Sequence, residues 1–265
     1  MAAATLLAVV TVFTPNLPKL TGPALLTVLV VVFALAWPVT VSATPRWGVS
    51  AGLALPGLSA VWIVSLLPLD TRFSGRAVDL WLAPVGGAIA LGVLLIFVIQ
   101  TFTLPGGVKR SLRTAMLVVG AVIGPAAAGW ALLFRNKFEV AAGTVGADRI
   151  TGVTWLMLTV LAVLVVAVLA TLIPTRLRNR MVITIVGATV VAVALQLFRP
   201  GPLSVPSVIA SAVAALIVAL VDSFSHSPEA PPTALQHPFT AVAVGSATTI
   251  VPGMVSYFVI HALPW

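Results

Sequence analysis

Val160 to Leu169 reads VLAVLVVAVL, in the middle of a stretch from Thr151 to Ile173 without one ionisable side chain. Uncharged runs of this length constrain the chain more than any other feature. A helix that crosses a bilayer needs about 20 mostly apolar residues. Nine runs are candidates: Met1–Thr14, Leu20–Ala43, Gly48–Leu67, Leu80–Thr103, Thr114–Phe134, Thr151–Ile173, Met181–Phe198, Val205–Val221 and Phe239–Leu263. Of these, Met1–Thr14 and Val205–Val221 are short, and the count falls to eight if the first lies in the interface.

Composition agrees. Hydrophobic residues make up 60 % of the 265 residues and charged residues 8 %. A soluble domain carries about 25 % charge, so this chain cannot cover itself with a water-compatible surface. A soluble enzyme, a secreted disulfide scaffold and a disordered tail are excluded. In lipid the backbone must satisfy its own hydrogen bonds, as helix or closed barrel. Barrel strands alternate apolar and polar with a period of two, and these runs do not alternate. The predicted fold is an all-α polytopic transmembrane helix bundle of eight or nine spans. No repeat of fixed period and no long linker divides it, so residues 1–265 form a single integral membrane domain. The most polar stretch, Ser223–Pro238, reads SFSHSPEAPPTALQHP and is an exposed loop stiffened by its prolines.

The formal net charge is +8. In a soluble chain that balance suggests nucleic acid; here the bases sit between apolar runs, where the positive-inside rule and anionic headgroups account for them. The expected partner is therefore the lipid bilayer, with partner membrane proteins or a homo-oligomer beside it, and no nucleic acid. Lys109, Arg110 and Arg113 form one cluster without an acid, and Arg176, Arg178 and Arg180 another. A bare Lys/Arg count over the two sides is a tie. The two dense clusters are taken as cytoplasmic, which places the amino terminus inside when nine runs span. No base precedes the first apolar run, unlike a secretory signal, so that run is expected to stay in the mature protein.

Chemistry-bearing residues are sparse. With no cysteine, thiolate nucleophiles and cysteine-ligated metals are excluded. Asp79, Asp222 and His261 fall near span ends rather than at a midplane, which disfavours a buried proton relay. His226 and His237 lack the i, i+4 spacing of a helical zinc pair. No phosphate-binding loop is present, so the chain is not itself an ATPase. GVSAG, Gly48–Gly52, matches the nucleophile-elbow pattern, but Ser50 opens an apolar span without a preceding strand. No catalytic residue, cofactor or metal is expected. Gln100 and Gln196 sit near the carboxyl ends of spans of opposite direction and should not meet. Trp47, Trp81, Trp130, Trp155 and Trp265 fall near span ends, where indoles favour the headgroup level.

Small residues mark packing faces. Gly120, Gly124 and Ala128 recur at four-residue spacing in one span, and Gly245, Thr249 and Gly253 in another. Such stripes let helix backbones approach closely. Proline stands beside glycine at mid-span three times: Pro56-Gly57, Gly124-Pro125 and Pro252-Gly253. These six residues are candidate hinges of a transport pathway, because broken helices near the midplane line binding sites in transporters. The competing expectation is a passive kink satisfied by neighbouring helices.

The stretches AWPVTVSATPRWGVSAG (Ala36–Gly52), IQTFTLPGGVKRSLRTAM (Ile99–Met116), AAGWALL (Ala127–Leu133) and GMVSYFV (Gly253–Val259) resemble a family of uncharacterised actinobacterial membrane proteins. The resemblance implies a permease-like build and a bacterial plasma membrane, and carries over no site residue. The leading expectation is a permease-like transport component of unknown substrate, and the runner-up is a non-catalytic scaffold or assembly factor that binds partner membrane proteins. An enzyme acting on lipid ranks third. A transporter needs a polar cavity reaching the midplane, whereas a scaffold is packed solid there.

Overall fold

The computed structural model describes residues 20–41, 43, 46–66, 77–103, 108–141, 147–198, 204–225 and 238–262. Among them the helices are α1 (Thr21–Thr40), α2 (Arg46–Leu66), α3 (Ala77–Thr103), α4 (Val108–Ala126), α5 (Ala128–Ala141), α6 (Ala147–Thr171), α7 (Leu177–Leu197), α8 (Val205–Ser225) and α9 (Pro238–Ala262). No strand occurs among the described residues. The chain is an all-α polytopic bundle with eight described crossings, because α4 and α5 share one, Arg113–Arg135. The Met1–Thr14 run lies outside the described residues.

Helix ends exceed the apolar runs most at Ala141 against Phe134 and Val108 against Thr114, in turns that carry Arg135, Lys137 and Glu139 and Lys109, Arg110 and Arg113. Next come Ala147 against Thr151, Leu177 against Met181 and Ser225 against Val221. These three extra turns carry Asp148 and Arg149, Arg178 and Arg180, and Asp222. Counting apolar residues stops at the first charge, while a helix continues to the headgroup zone, where charge is solvated or, as at Arg180 and Asp222, paired.

Helices α1 to α4 pack as sequence neighbours, and α2 also touches α4 and α5. Helices α6, α7 and α8 pack mutually. Returning across the bundle, α9 contacts α8, α1 and both halves of the broken crossing. That crossing is the centre of the molecule: 78 % of its apolar window is buried, against 28 % for Pro84–Phe102 in α3 and 22 % for α7. The buried cluster is continuous, from Phe33 and Leu53 through Leu117, Trp130 and Phe134 to Met157 and Val160.

Pro125 interrupts the central crossing. Its ring removes the amide that would bond to the Ala121 carbonyl and crowds the preceding turn. The chain closes a tighter turn, Ala127 N–H to Gly124 O at 3.2 Å, and restarts with Trp130 N–H to Ala127 O at 3.1 Å. Pro38, Pro56, Pro84 and Pro252 all sit inside continuous helices. Of the three mid-span Pro–Gly pairs, one therefore breaks its helix.

Candidate functional site

The three Pro–Gly pairs meet at this break. A Cβ on Gly57 of α2 would lie 3.2 Å from the carbonyl carbon of Gly124 and 2.7 Å from Val30 Cγ1. Reciprocally, a Cβ on Gly124 would stand 3.4 Å from the Leu53 carbonyl oxygen and 3.7 Å from Gly57 Cα. Here helices α2 and α4 touch backbone to backbone. On the other side of the break, a Cβ on Gly129 would strike the backbone of Met254, directly after Gly253. Pro56, Gly57, Gly124, Pro125, Pro252 and Gly253 are all buried.

The carbonyl that Pro125 leaves without its helical partner is covered by α3. A Cβ on Gly92 would sit 3.3 Å from Ala121 O and 3.2 Å from Pro56 Cγ. The bare Gly92 Cα thus faces that oxygen, an arrangement suited to the weak Cα–H···O contacts found where helices cross closely.

Two tryptophans fill matching notches. The Trp130 indole N–H donates to Thr249 O at 2.8 Å, and the Trp37 indole N–H donates to Met116 O at 3.0 Å. In each case a glycine stands four residues beyond the acceptor: Gly253 after Thr249, Gly120 after Met116. A side chain on either glycine would collide with the indole ring. The glycine opens a way to a carbonyl that already belongs to a helix, whose second lone pair accepts the indole. Thr249 is also three residues before Pro252, where a proline disturbs the helical ladder. Phe134 fills a third notch, with its Cγ 2.9 Å from a Cβ on Gly22.

Several expectations change on this geometry. Trp130 is not a headgroup anchor but fully buried, 0 % exposed, because its indole N–H finds a carbonyl inside the bundle. Trp47, 80 % exposed at the start of α2, does lie at a helix end. The side chain of Trp81, and Trp265, lie outside what is described, as do His226 and His237. Gly120 faces an indole rather than another backbone. Ala128 is buried but lies beyond the break, in α5, so Gly120, Gly124 and Ala128 do not share one helix. Gly245 is no packing contact: nothing stands within 4 Å of its Cβ position, and its carbonyl accepts the Thr248 and Thr249 hydroxyls at 3.0 and 2.8 Å. The GVSAG segment is helical from its first residue, so no strand precedes Ser50.

Gln196 is buried near the carboxyl end of α7. Its Nε2 donates to Thr159 Oγ1 of α6 at 3.1 Å, and its Oε1 accepts the Ser204 amide at 3.4 Å. Ser207 Oγ continues the chain to Ser204 Oγ at 3.0 Å. Gln100 lies near the carboxyl end of α3, at the opposite end of the bundle from Gln196. A stripe that a sequence reading passes over holds α7: Thr184, Ala188, Ala192 and Gln196 are its buried residues. The signal was present, four small or polar residues at four-residue spacing among β-branched neighbours.

Arginines tie the helix ends. Arg135 Nη1 donates to the Val64 carbonyl in the last turn of α2 at 2.6 Å. At the other end of the bundle, Arg180 Nε meets Asp222 Oδ2 at 2.7 Å, joining α7 to α8.

No family model, curated protein or solved structure matches this chain.

Proposed function

We propose that this integral membrane protein is a non-catalytic scaffold or assembly factor, a rigid bundle that presents apolar faces to partner membrane proteins. The observation that carries the reading is the centre. Gly57 meets Gly124, Gly129 meets the chain at Gly253–Met254, and Trp130 fills the remaining notch. Packing of this density leaves no room for a cargo at the three kink sites, where a pathway would have to pass. The outward face of α3 supports the same reading. Gly86, Gly87 and Ala90 are exposed there, with nothing within 4 Å of the two glycine Cβ positions. Glycines inside a helix weaken it by about 1 kcal/mol each relative to alanine, and a close-packed partner helix offsets that.

One observation favours a permease-like transport component of unknown substrate instead. The most buried crossing is the discontinuous one, and discontinuous helices at the centre are how transporters build sites. The chain's lack of cysteine allows a direct test. Gly57 and Gly253 cannot accept a probe without displacing Val30 or Trp130, so single cysteines belong at Ala60, Ala126 and Ala247. Protection of all three from a small hydrophilic thiol reagent, in protein that elutes as folded, supports the scaffold. Reaction at Ala126→Cys together with either neighbour would replace it with the transport reading.

The resemblance to actinobacterial proteins supports a bacterial plasma membrane, and the Lys109–Arg113 and Arg176–Arg180 clusters support a cytoplasmic setting for their end of the bundle. With Met1–Thr14 as a ninth span, the amino terminus is cytoplasmic too. An impermeant reagent outside intact cells should label Ala147→Cys and spare Gly107→Cys; the converse pattern inverts the orientation.

A further inference from the structure

The junction of α6 and α7, the turn at Arg176 and the first turn of α7, carries Arg176, Arg178 and Arg180 within five residues, and no acid occurs from Leu172 to Arg180. The structure sorts these three bases. Arg180 and Asp222 are 12 % and 10 % exposed and bond each other at 2.7 Å, so that charge is spent inside the bundle. Arg176 and Arg178 are exposed. Arg176 also precedes α7, which has no acidic residue in its first turn and no side-chain cap. The first helical bond here is Arg180 N–H to Arg176 O at 2.9 Å. The amides of Leu177, Arg178 and Asn179 therefore have no carbonyl one turn back, and they lie at the positive end of the helix dipole.

Below the basic turn, the outward face of α7 is an apolar track. Val182, Val186 and Val190 follow at four-residue spacing and are 54, 55 and 60 % exposed. Beside them, Gly187 has nothing within 4 Å of its Cβ position. The track starts about one turn from Arg178 and continues for roughly 12 Å at 1.5 Å per residue. Two unneutralised guanidinium groups above an exposed apolar track match a molecule with a negative head and a hydrocarbon tail.

The geometry points to an anionic glycerophospholipid held at this corner. Its phosphate lies between Arg176 and Arg178, and one acyl chain lies along Val182, Val186 and Val190. Guanidinium groups form paired charge-assisted hydrogen bonds to phosphate oxygens, and α7 is the least covered of the eight described crossings. This site stands apart from the central break and does not depend on the scaffold reading.

The test uses the full chain in nanodiscs and in detergent. Native mass spectrometry after exchange should show phosphatidylglycerol retained and phosphatidylcholine lost. The Arg176→Gln/Arg178→Gln double variant should hold phosphatidylglycerol about thirtyfold more weakly, given about 1 kcal/mol per base at a lipid surface. Its thermal midpoint in phosphatidylcholine nanodiscs should match that of the parent, since both side chains are exposed. The Arg176→Lys/Arg178→Lys variant should keep most of the retention. Val186→Asp should lose it with the arginines intact. Equal retention of the two lipids, or no loss in the glutamine variant, would overturn the proposal. So would inorganic phosphate displacing phosphatidylglycerol at millimolar concentration, because the site would then be one for free anions.

Discussion

The central crossing, Arg113–Arg135, and the peripheral helix α7 are equally hydropathic along their spans, yet 78 % of one apolar window and 22 % of the other are buried. Both also carry small residues at four-residue spacing. The difference teaches that in lipid hydropathy does not choose the inside. A leucine is as comfortable against an acyl chain as against another helix, so association falls to shape and to hydrogen bonds. The centre has notches with something to fill them: Gly124 against Gly57, Gly253 and Gly120 against indoles. Helix α7 has one narrow stripe, and its glycine, Gly187, faces open space.

The comparison breaks most readily at the glycines. Gly129→Ala should lower stability by about 3 kcal/mol, the upper range for overpacking, because its new methyl meets the backbone of Met254, which cannot rotate away. Detergent thermal melts of Gly129→Ala against the parent measure this, and an unchanged midpoint would mean that the α5–α9 contact is looser than described.

Next in size is the end pin of the peripheral pair. Arg180→Gln removes the guanidinium that pairs with a largely buried Asp222 and should destabilise by about 2 kcal/mol, between the values for exposed and buried pairs. The loss should concentrate in α7 and α8. Amide exchange that rises there and stays level in α4 and α5 would sharpen the contrast; a uniform rise would erase it.

Trp130→Phe keeps most of the packing but leaves the Thr249 carbonyl without its indole donor, a loss of about 1–2 kcal/mol. Trp47→Phe, at an exposed helix end, should leave the melt unchanged. Equal effects from the two would return Trp130 to the headgroup belt.

The smallest effect has the opposite sign. Gly187→Ala should stabilise by up to about 1 kcal/mol through helix propensity, since nothing opposes the added methyl. A loss of stability there would show that a neighbour comes close to α7 at Gly187.

Much of the site was legible as a set of positions and little of it as a set of contacts. Pro56-Gly57, Gly124-Pro125 and Pro252-Gly253 stand out in the sequence because proline and glycine disturb a helix by local covalent means. Their spacing does not say that Gly57 faces Gly124, or that Gly253 receives Trp130 from a residue more than a hundred positions away. Nor does a tryptophan near a span end disclose whether its N–H reaches headgroups or a buried carbonyl, since an indole suits both.

The sequence by itself determined the solvent, the helical fold, the approximate crossings and the places where a helix is weak. Each follows from the length of uncharged runs, from the backbone's need for internal hydrogen bonds in hydrocarbon, and from the chemistry of single residues. Tertiary structure alone decided which crossing is central, which proline breaks its helix, and which small residues are filled and which left open. Those outcomes rest on complementarity between surfaces distant in the chain, and apolar side chains carry no label that distinguishes a helix neighbour from a lipid.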